Sequence, residues 1–357
     1  MHLACYHSSV EIIDMLVKEG STMGTHAGIM GTIFQAACQR KDSARAAVLE
    51  YLLNAPGFDP TKSSRHWDSN LATACLLTDI GIVKRLVELK VDINEEDILG
   101  RRPIHFALYK ELELVEYLCA NGADIFDLDL MERNALHFAV ASSRLDVVKY
   151  TLDLNPDFVH AADCDGWSPI FWTVRECLYW DTETTQRGAI IEELIARGAS
   201  ITIQAQRLDR QWTPFELARY YDLSYDITKL LIPTPQAAQQ SEYASAWARI
   251  LSALDSDFVV AKRYEVLYGY CDICLFALIG VYYACTECEG FAICFKCYRS
   301  RRIVHSDHEF DPCNEDDHAS GESDQESDHE GATDNESGDM EEYEDCESAV
   351  SDEGERE

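Results

Sequence analysis

Apolar positions recur along the chain in a short segment that often carries one polar residue and usually ends in alanine. The segments begin at residues 1, 34, 71, 104, 136, 170 and 215, and they read MHLA, FQAA, LATA, IHFA, LHFA, IFWT and FELA. Successive segments are separated by 33, 37, 33, 32, 34 and 45 residues. A period near 33 predicts an architecture in which one supersecondary unit is repeated.

A second apolar stretch follows the clearest segments and predicts a second helix in each unit. Residues 114–118 read LVEYL and residues 147–150 read VVKY. The turns Asn121–Asp124 and Arg197–Ser200 each contain a glycine, which supplies the positive φ needed where a helix ends. Because a pair of short helices cannot bury its apolar face alone, neighbouring pairs are expected to stack and share a continuous core.

The segments 100–107 (GRRPIHFA) and 134–139 (NALHFA) resemble the ankyrin repeat. The resemblance implies a mainly α-helical solenoid of about seven repeats over residues 1–232. In that family the histidine ties down the turn before the first helix, so His105 and His137 are expected to be structural. Met1 stands inside a first helix without its preceding turn, so we expect the first repeat to be incomplete or to lack upstream residues.

Two segments interrupt or follow the repeats. The step between Thr173 and Phe215 is about a dozen residues longer than the period, which predicts a loop around LYWDTETTQRGA. That loop is expected either to bind a partner or to pack on its own repeat. Residues 233–262 are predicted to form a linker and an amphipathic helix that caps the solenoid or binds a partner. Its apolar face comprises Trp247, Ile250, Leu251, Leu254 and Phe258.

Four pairs of metal-ligand side chains follow within 38 residues. They are Cys271 and Cys274, Cys285 and Cys288, Cys294 and Cys297, and His305 and His308. Each pair is separated by two residues, so both side chains of a pair can face one ion from a tight turn. Eight ligands of this type predict two tetrahedral zinc sites. The spacing alone leaves open whether the pairs combine sequentially or alternately.

Over residues 266–312 this pattern resembles a ZZ-type zinc finger, with the segment GVYYA leading into the second cysteine pair. The resemblance implies an alternating, cross-braced arrangement. Zinc 1 is then held by Cys271, Cys274, Cys294 and Cys297, and zinc 2 by Cys285, Cys288, His305 and His308. Both sites are closed and therefore structural. A RING finger places a histidine in the middle of the ligand order, whereas both histidines come last here.

Several ZZ-type fingers bind a free N-terminal peptide end through a small set of carboxylates. Asp272 matches the first of these acids, which follows the first cysteine. Gly290 and Ala292 stand where the family carries two others, and Tyr282 stands where it usually carries an arginine. The pattern therefore supports only part of such a site, and capture of N-terminal peptide ends is left open.

Charge is concentrated at the C-terminus. The net charge is −34, and residues 311–357 hold 21 acidic residues and one basic residue. Residues 313–357 are therefore predicted to be a disordered acidic tail. It is expected to bind basic partners such as histones, to fold back on the basic stretch Arg299–Arg302, or to act as a solubilising segment. The tail also carries candidate sites for acidophilic kinases. These are Ser323, Ser327, Thr333 and Ser351.

This acidity excludes a nucleic-acid-binding surface and disfavours acidic lipid surfaces. No apolar run is long enough to span a bilayer and no signal-peptide core is present, so an intracellular location in the cytoplasm or nucleus is expected. The chain shows no phosphate-binding glycine loop and no nucleophile–base pair. It is therefore predicted to be a non-enzymatic adaptor for protein partners. The alternatives are a ubiquitin-pathway component and a chromatin or transcription regulator that reads histone tails.

Overall fold

The computed structural model describes residues 1–24, 31–62, 69–175, 186–207, 210–233, 248, 250, 269–288, 290–305 and 307–313. The loop predicted around residues 178–189 falls largely outside these ranges. The same holds for the acidic tail and for the amphipathic helix apart from residues 248 and 250. Of the apolar face predicted for that helix, Ile250 is described, and it is buried.

Within the described ranges, residues 1–232 form seven successive helix pairs. The first helices of the pairs are α1 (His2–His7), α3 (Ile33–Cys38), α5 (Asn70–Leu77), α7 (Pro103–Ala107), α9 (Ala135–Ala139), α11 (Pro169–Thr173) and α13 (Pro214–Tyr220). The second helices are α2 (Val10–Lys18), α4 (Arg45–Asn54), α6 (Ile80–Glu88), α8 (Leu112–Ala120), α10 (Leu145–Leu154), α12 (Arg187–Ala196) and α14 (Tyr225–Thr228). A short antiparallel hairpin, β1 (Ala205–Arg207) and β2 (Arg210–Trp212), precedes α13.

Each first helix contacts the first helix of the next pair, so the first helices form one continuous row. Ala107 and Ala139 are fully buried in this row, where a larger side chain would hold neighbouring helices apart. The second helices contribute the apolar residues that the sequence pattern predicts, among them Leu114 and Leu118. Burying one such leucine stabilises the fold by about 1.5–3 kcal/mol.

The start of several first helices is closed by one recurring hydrogen bond. A side chain in the third position of the helix accepts from the backbone N–H of the residue before the helix. Gln35 bonds Thr32 N at 2.8 Å, His105 Nδ1 bonds Arg102 N at 3.0 Å, and Glu216 bonds Thr213 N at 2.8 Å. Three different side chains therefore cap the helix in the same way, because the position requires only an acceptor for the free backbone N–H of the preceding residue.

His137 makes the same bond to the backbone of Asn134, at 3.1 Å. Burial lowers the pKa of His105 and of His137 to about 4, so both rings are neutral at pH 7. Since Nδ1 accepts a hydrogen bond, the proton lies on Nε2, and in His137 it is donated to the carbonyl of Trp167 at 3.0 Å. These contacts agree with the structural role expected for the two histidines.

Loops between the repeats carry buried ion pairs at equivalent positions. In loop 97–101, Asp97 pairs with Arg101 at 2.6 Å. In loop 129–133, Asp129 pairs with Arg133 at 2.5 Å. The backbone N–H of Leu130 also donates to the carbonyl of Leu99, at 2.9 Å, and links the two loops. The loops are therefore ordered extensions of the helix row.

Residues 269–313 form a small second fold. An antiparallel sheet has the strand order β4 (Ala292–Cys294), β3 (Tyr282–Cys285), β5 (Phe310–Cys313), and two short helices, α15 (Phe295–Arg299) and α16 (Arg301–Val304), lie between β4 and β5 along the chain. This fold belongs to one compact unit with the helix row. None of the helices in the described ranges has the length and apolar character to cross a membrane.

Candidate metal centres and their contact with the repeats

The small fold brings the eight predicted ligands together as two groups of four. Quartet 1 comprises Cys271, Cys274, Cys294 and Cys297, and quartet 2 comprises Cys285, Cys288, His305 and His308. Within each quartet the candidate ligand atoms all lie within 4.8 Å of one another. The first and third pairs therefore combine, as do the second and fourth, which is the alternating arrangement implied by the resemblance.

Quartet 1 is built from a loop and the start of a helix. The chain reverses between Cys271 and Phe276, where the backbone N–H of Cys271 donates to the Phe276 carbonyl at 2.8 Å. Leu275 has a φ of 63°, a conformation that a non-glycine residue adopts at a cost. Cys294 ends β4 and Cys297 lies in α15, so the strand-to-helix junction supplies the second pair.

The spacing in quartet 1 fits zinc. Its four side chains are 0–2% exposed. The sulfurs of Cys274 and Cys294 are 3.8 Å apart. A Zn–S bond of about 2.3 Å places two sulfurs of a tetrahedral site about 3.8 Å apart. An all-sulfur donor set of this size suits zinc, and the closed geometry leaves no position for a substrate or water.

Quartet 2 has mixed donors and fits the same ion. Cys285 Sγ lies 3.5 Å from His305 Nε2 and 3.4 Å from His308 Nδ1. Cys288 Sγ lies 3.6 Å and 3.2 Å from the same two nitrogens. A tetrahedral zinc with bonds of about 2.3 Å to sulfur and 2.0–2.1 Å to nitrogen separates such atoms by about 3.5 Å. The two histidines thus present different ring nitrogens, a distinction that the sequence does not show.

The surroundings of quartet 2 come from the small fold itself. The His305 ring stacks on Phe291, with ring centroids 4.6 Å apart. Phe310 lies against the same histidine at 5.5 Å. Glu287 places a carboxylate oxygen 3.9 Å from His308 Nε2, in the direction from which outer carboxylates orient metal-bound histidines. All four ligands of quartet 2 are half-buried, whereas quartet 1 is enclosed.

Quartet 1 is enclosed because the small fold packs on the helix row. Arg175, which follows α11, donates from Nη2 to Cys294 Sγ at 3.2 Å and to Cys274 Sγ at 3.6 Å. Its guanidinium also lies over the ring of Phe276, at 4.5 Å. In the described part of the chain, the Nε and Nη1 atoms of this arginine have no hydrogen-bond partner. Sequence reasoning missed Arg175, because nothing in the local pattern links it to cysteines a hundred residues away.

The small fold also places a lysine in the helix row. Lys296, between the last two cysteines of quartet 1, is fully buried. Its Nζ lies 3.1 Å from an oxygen of Asp163 and 2.5 Å from an oxygen of Asp165. These carboxylates raise the pKa of Lys296 despite its burial, so the lysine stays charged. Arg299 adds an ion pair to Asp165 at 2.9 Å.

The third inter-repeat loop, residues 163–167, explains why Lys296 is needed there. Asp163 occupies the position of Asp97 and Asp129, and its side chain accepts from the backbone of Trp167 as theirs accept from Arg101 and Arg133. Trp167 stands where the other two loops have their arginine. The sequence therefore contains a signal for the missing cation, because the Asp-x3-Arg pattern of the first two loops becomes Asp-x3-Trp in the third.

Aromatic side chains fill the remaining contact between the two folds. Trp172 lies edge-on to Phe276 at 5.3 Å, and Trp167 lies against Phe295 at 6.0 Å. Cys164 is exposed beside Ser300, with its sulfur 3.4 Å from the hydroxyl. Cys5, Cys38 and Cys75 are buried, and Cys119 is half-buried.

Asp272 is engaged inside the small fold. Its Oδ2 accepts from the backbone N–H of Ala292 at 2.7 Å, and its own N–H donates to the Ala292 carbonyl at 3.0 Å. Burial raises the pKa of this carboxyl to about 6. Asp272 therefore joins the first cysteine loop to β4, at the position where Ala292 replaces an acid of the family pattern.

Comparison with known proteins matches both parts of the chain. A family model for ankyrin repeats matches residues 33–129 and 71–161, and a model for the ZZ-type zinc finger matches residues 269–310. The chain is 25% identical over 229 residues to the ankyrin repeat domain-containing protein SAT10 of Stachybotrys chartarum. That match covers 60% of this chain and 10% of the relative, so the likeness concerns a small part of that protein.

Proposed function

We propose that this chain, which contains ankyrin repeats and a ZZ-type zinc finger, is a non-enzymatic adaptor that binds protein partners. In this proposal the eight residues of quartets 1 and 2 ligate the two structural zinc ions that the finger holds. Each quartet supplies four ligands, which leaves no open coordination position for catalysis. The repeats and the finger then serve recognition.

An exposed apolar row on two neighbouring loops carries this proposal. It comprises Ile98, Phe126, Leu128 and Leu130, which are 51%, 55%, 53% and 50% exposed. The loops are held side by side by the hydrogen bond from Leu130 N to the Leu99 carbonyl. Exposed apolar side chains that cluster in this way mark protein-interaction surfaces.

Acidic residues frame this apolar row. The loops carry Glu95, Glu96, Asp124, Asp127 and Glu132, whereas Arg102 pairs with Glu96 and Asp127. The local charge is therefore negative, in line with the net charge of −34. Charge complementarity favours a basic partner segment that also presents apolar side chains to the row.

A displayed-peptide library selected against the purified full chain tests this surface. We expect enrichment of peptides that combine lysine or arginine with aromatic or aliphatic anchors, and a double change of Phe126→Ser and Leu128→Ser should abolish the binding. Tyr225→Ser is the matched control, because Tyr225 is 74% exposed and lies outside the row. Enrichment of acidic peptides, or binding that survives the double change, would contradict the proposal.

Absence of ligase activity is tested separately. Incubation of the zinc-loaded chain with ubiquitin-activating and ubiquitin-conjugating enzymes should yield no ubiquitin chains, because neither metal quartet has the ligand order of a RING finger. Robust chain formation would replace the adaptor proposal with a ubiquitin-pathway function. The proposed location is intracellular, in the cytoplasm or nucleus, because ankyrin repeats and ZZ-type zinc fingers are typical of intracellular proteins.

A further inference from the structure

Quartet 1 combines ligands from the finger with a cation from the repeats. A zinc ion bound by four thiolates carries a net charge of −2, and all four cysteines of quartet 1 are buried. Enclosing that charge without a counter-charge is costly. Arg175 supplies one positive charge directly, through its two N–H···S contacts at 3.2 and 3.6 Å.

At the same contact, the finger places a positively charged side chain in the repeats. The third loop has a buried carboxylate, Asp163, but no arginine at the position that completes the other two loops. Lys296 fills that role from the finger, at 3.1 Å from Asp163. Because Lys296 lies between Cys294 and Cys297, its position depends on the fold that those two ligands close.

We infer that zinc binding at quartet 1 and docking of the finger on the repeats are thermodynamically linked. The positioning residues are Arg175 of the repeats, which contacts the finger, and Lys296 of the finger, which contacts the repeats. Zinc at quartet 1 holds Lys296 in the third loop, and the docked repeats hold Arg175 on the zinc thiolates. Zinc site 2 has no such partner among the described residues of the repeats. Loss of zinc from quartet 1 therefore releases the finger from the repeats, and loss from quartet 2 does not.

The first experiment follows zinc release from the full chain in excess chelator, using a metal indicator and native mass spectrometry. We expect two phases in the unchanged protein, fast from the half-exposed site 2 and slow from the enclosed site 1. Arg175→Met should accelerate the slow phase by roughly 10- to 100-fold, the range typical of a lost outer-shell partner, and leave the fast phase unchanged. The rate of the slow phase in Arg175→Lys should lie between those of the unchanged protein and Arg175→Met. This variant also provides the test if Arg175→Met fails to fold.

Arg101→Met is the matched control. Arg101 also bridges the contact, but it donates to the backbone carbonyl of Ile273 at 3.0 Å and not to sulfur. We expect a smaller change of the slow phase from this variant. If Arg101→Met and Arg175→Met accelerate both phases equally, Arg175 is a packing residue only and the inference is wrong. An unchanged slow phase in Arg175→Met and Arg175→Lys would overturn it as well.

Cobalt provides a spectroscopic check on the thiolates themselves. With Co²⁺ exchanged into the finger, the sulfur-to-cobalt charge-transfer bands report on the cysteine ligands of each site. Removing the N–H donors of Arg175 should shift the bands that belong to the four-sulfur site, and Arg101→Met should leave them in place. Identical spectra for the unchanged protein and Arg175→Met would contradict a direct effect on the ligands.

Hydrogen exchange tests the reciprocal direction of the linkage. Amides of residues 163–175 should remain protected after the fast zinc has left and lose protection only when the slow zinc is removed. Amides of α4 (Arg45–Asn54), in the second repeat, report on the repeats generally and should change less. Protection at residues 163–175 that persists in the zinc-free chain, or that is lost with the first zinc, would refute the linkage.

Discussion

The two metal centres of this chain share one small fold and differ in what surrounds them. Quartet 1 is all sulfur, is 0–2% exposed, and receives hydrogen bonds from Arg175 of the repeats. Quartet 2 mixes sulfur and imidazole, is half-buried, and is surrounded within the described residues by side chains of the finger such as Phe291 and Phe310. One centre therefore belongs to an interdomain contact and the other to the finger alone.

This difference shows that two structural metal sites in one small fold can be stabilised by different surroundings. Quartet 2 depends on local turns and an aromatic stack, and its energetics should be largely those of an isolated finger. Quartet 1 adds the buried guanidinium of Arg175 and aromatic packing from the repeats that precede it in the chain, and Asp163 of the repeats also binds the finger's buried Lys296. Its stability is therefore a property of the whole compact unit.

The largest effect is expected from Cys294→Ser, which removes a ligand of quartet 1. The variant should unfold the finger, lose both zinc ions and expose residues 163–175, because structural zinc supplies much of the folding free energy of such a domain. Native mass spectrometry and limited proteolysis measure these changes. Cys313→Ser is the control, since Cys313 lies outside both quartets. Unaltered protection of the third loop would show that the two domains are energetically separate.

His308→Ala should produce a smaller effect, confined to the finger. We expect loss of the zinc at quartet 2, with one zinc and the contact at Arg175 retained, because the described neighbours of His308 belong to the finger. The zinc content and the accessibility of residues 163–175 to hydrogen exchange are the measurements. Loss of both zinc ions would mean that the sites fold as one cooperative centre.

Lys296→Met tests the buried ion pair without touching a zinc ligand. It leaves Asp163 charged and buried, which is expected to cost about 3–5 kcal/mol in the free energy of unfolding. Urea denaturation measures the loss, and adding Asp163→Asn should recover part of it. Lys229→Met, at an exposed ion pair, should leave the midpoint unchanged. Equal midpoints for the two single variants would show that the buried ion pair of Lys296 does not contribute to the stability of the chain.

The smallest effect at neutral pH is expected from His105→Gln, because Gln35 performs the same capping task in another repeat. The pKa of His105 is lowered from 6.5 to about 4 by burial, so the unfolded chain binds the proton more readily. The stability contributed by the neutral ring is complete above pH 6.5 and is lost as the pH falls towards 4, by about 3 kcal/mol.

Denaturation curves at pH 7 and pH 4.5 measure this difference. Relative to the unchanged protein, His105→Gln should show a shallower loss of stability on acidification, and the comparison cancels zinc release common to both. His7→Gln, at an exposed histidine, should behave like the unchanged protein. A parallel loss in all three proteins would show that His105 does not contribute to the acid sensitivity.

Much of the fold follows from residue patterns because its units are local. The period near 33, the two apolar stretches per unit and the turn glycines predict helix pairs, and Gly122 and Gly198 do adopt positive φ values of 97° and 99°. The pairs of cysteines and histidines predict two zinc sites for the same reason. What the spacing left open was the combination of pairs, since sequential and alternate pairing both satisfy tetrahedral zinc.

The repeat pattern and the metal-binding residue types were thus determined by the sequence alone, because helix pairing and paired ligands act over a few residues. The tertiary structure decided which ring nitrogen of each histidine faces quartet 2, and it decided where the finger lies. Arg175 and Cys294, or Lys296 and Asp163, are separated by more than a hundred residues, and only the stacked repeats bring them into contact. Buried charge must be compensated locally in space, and the order of residues along the chain does not show which charges become neighbours.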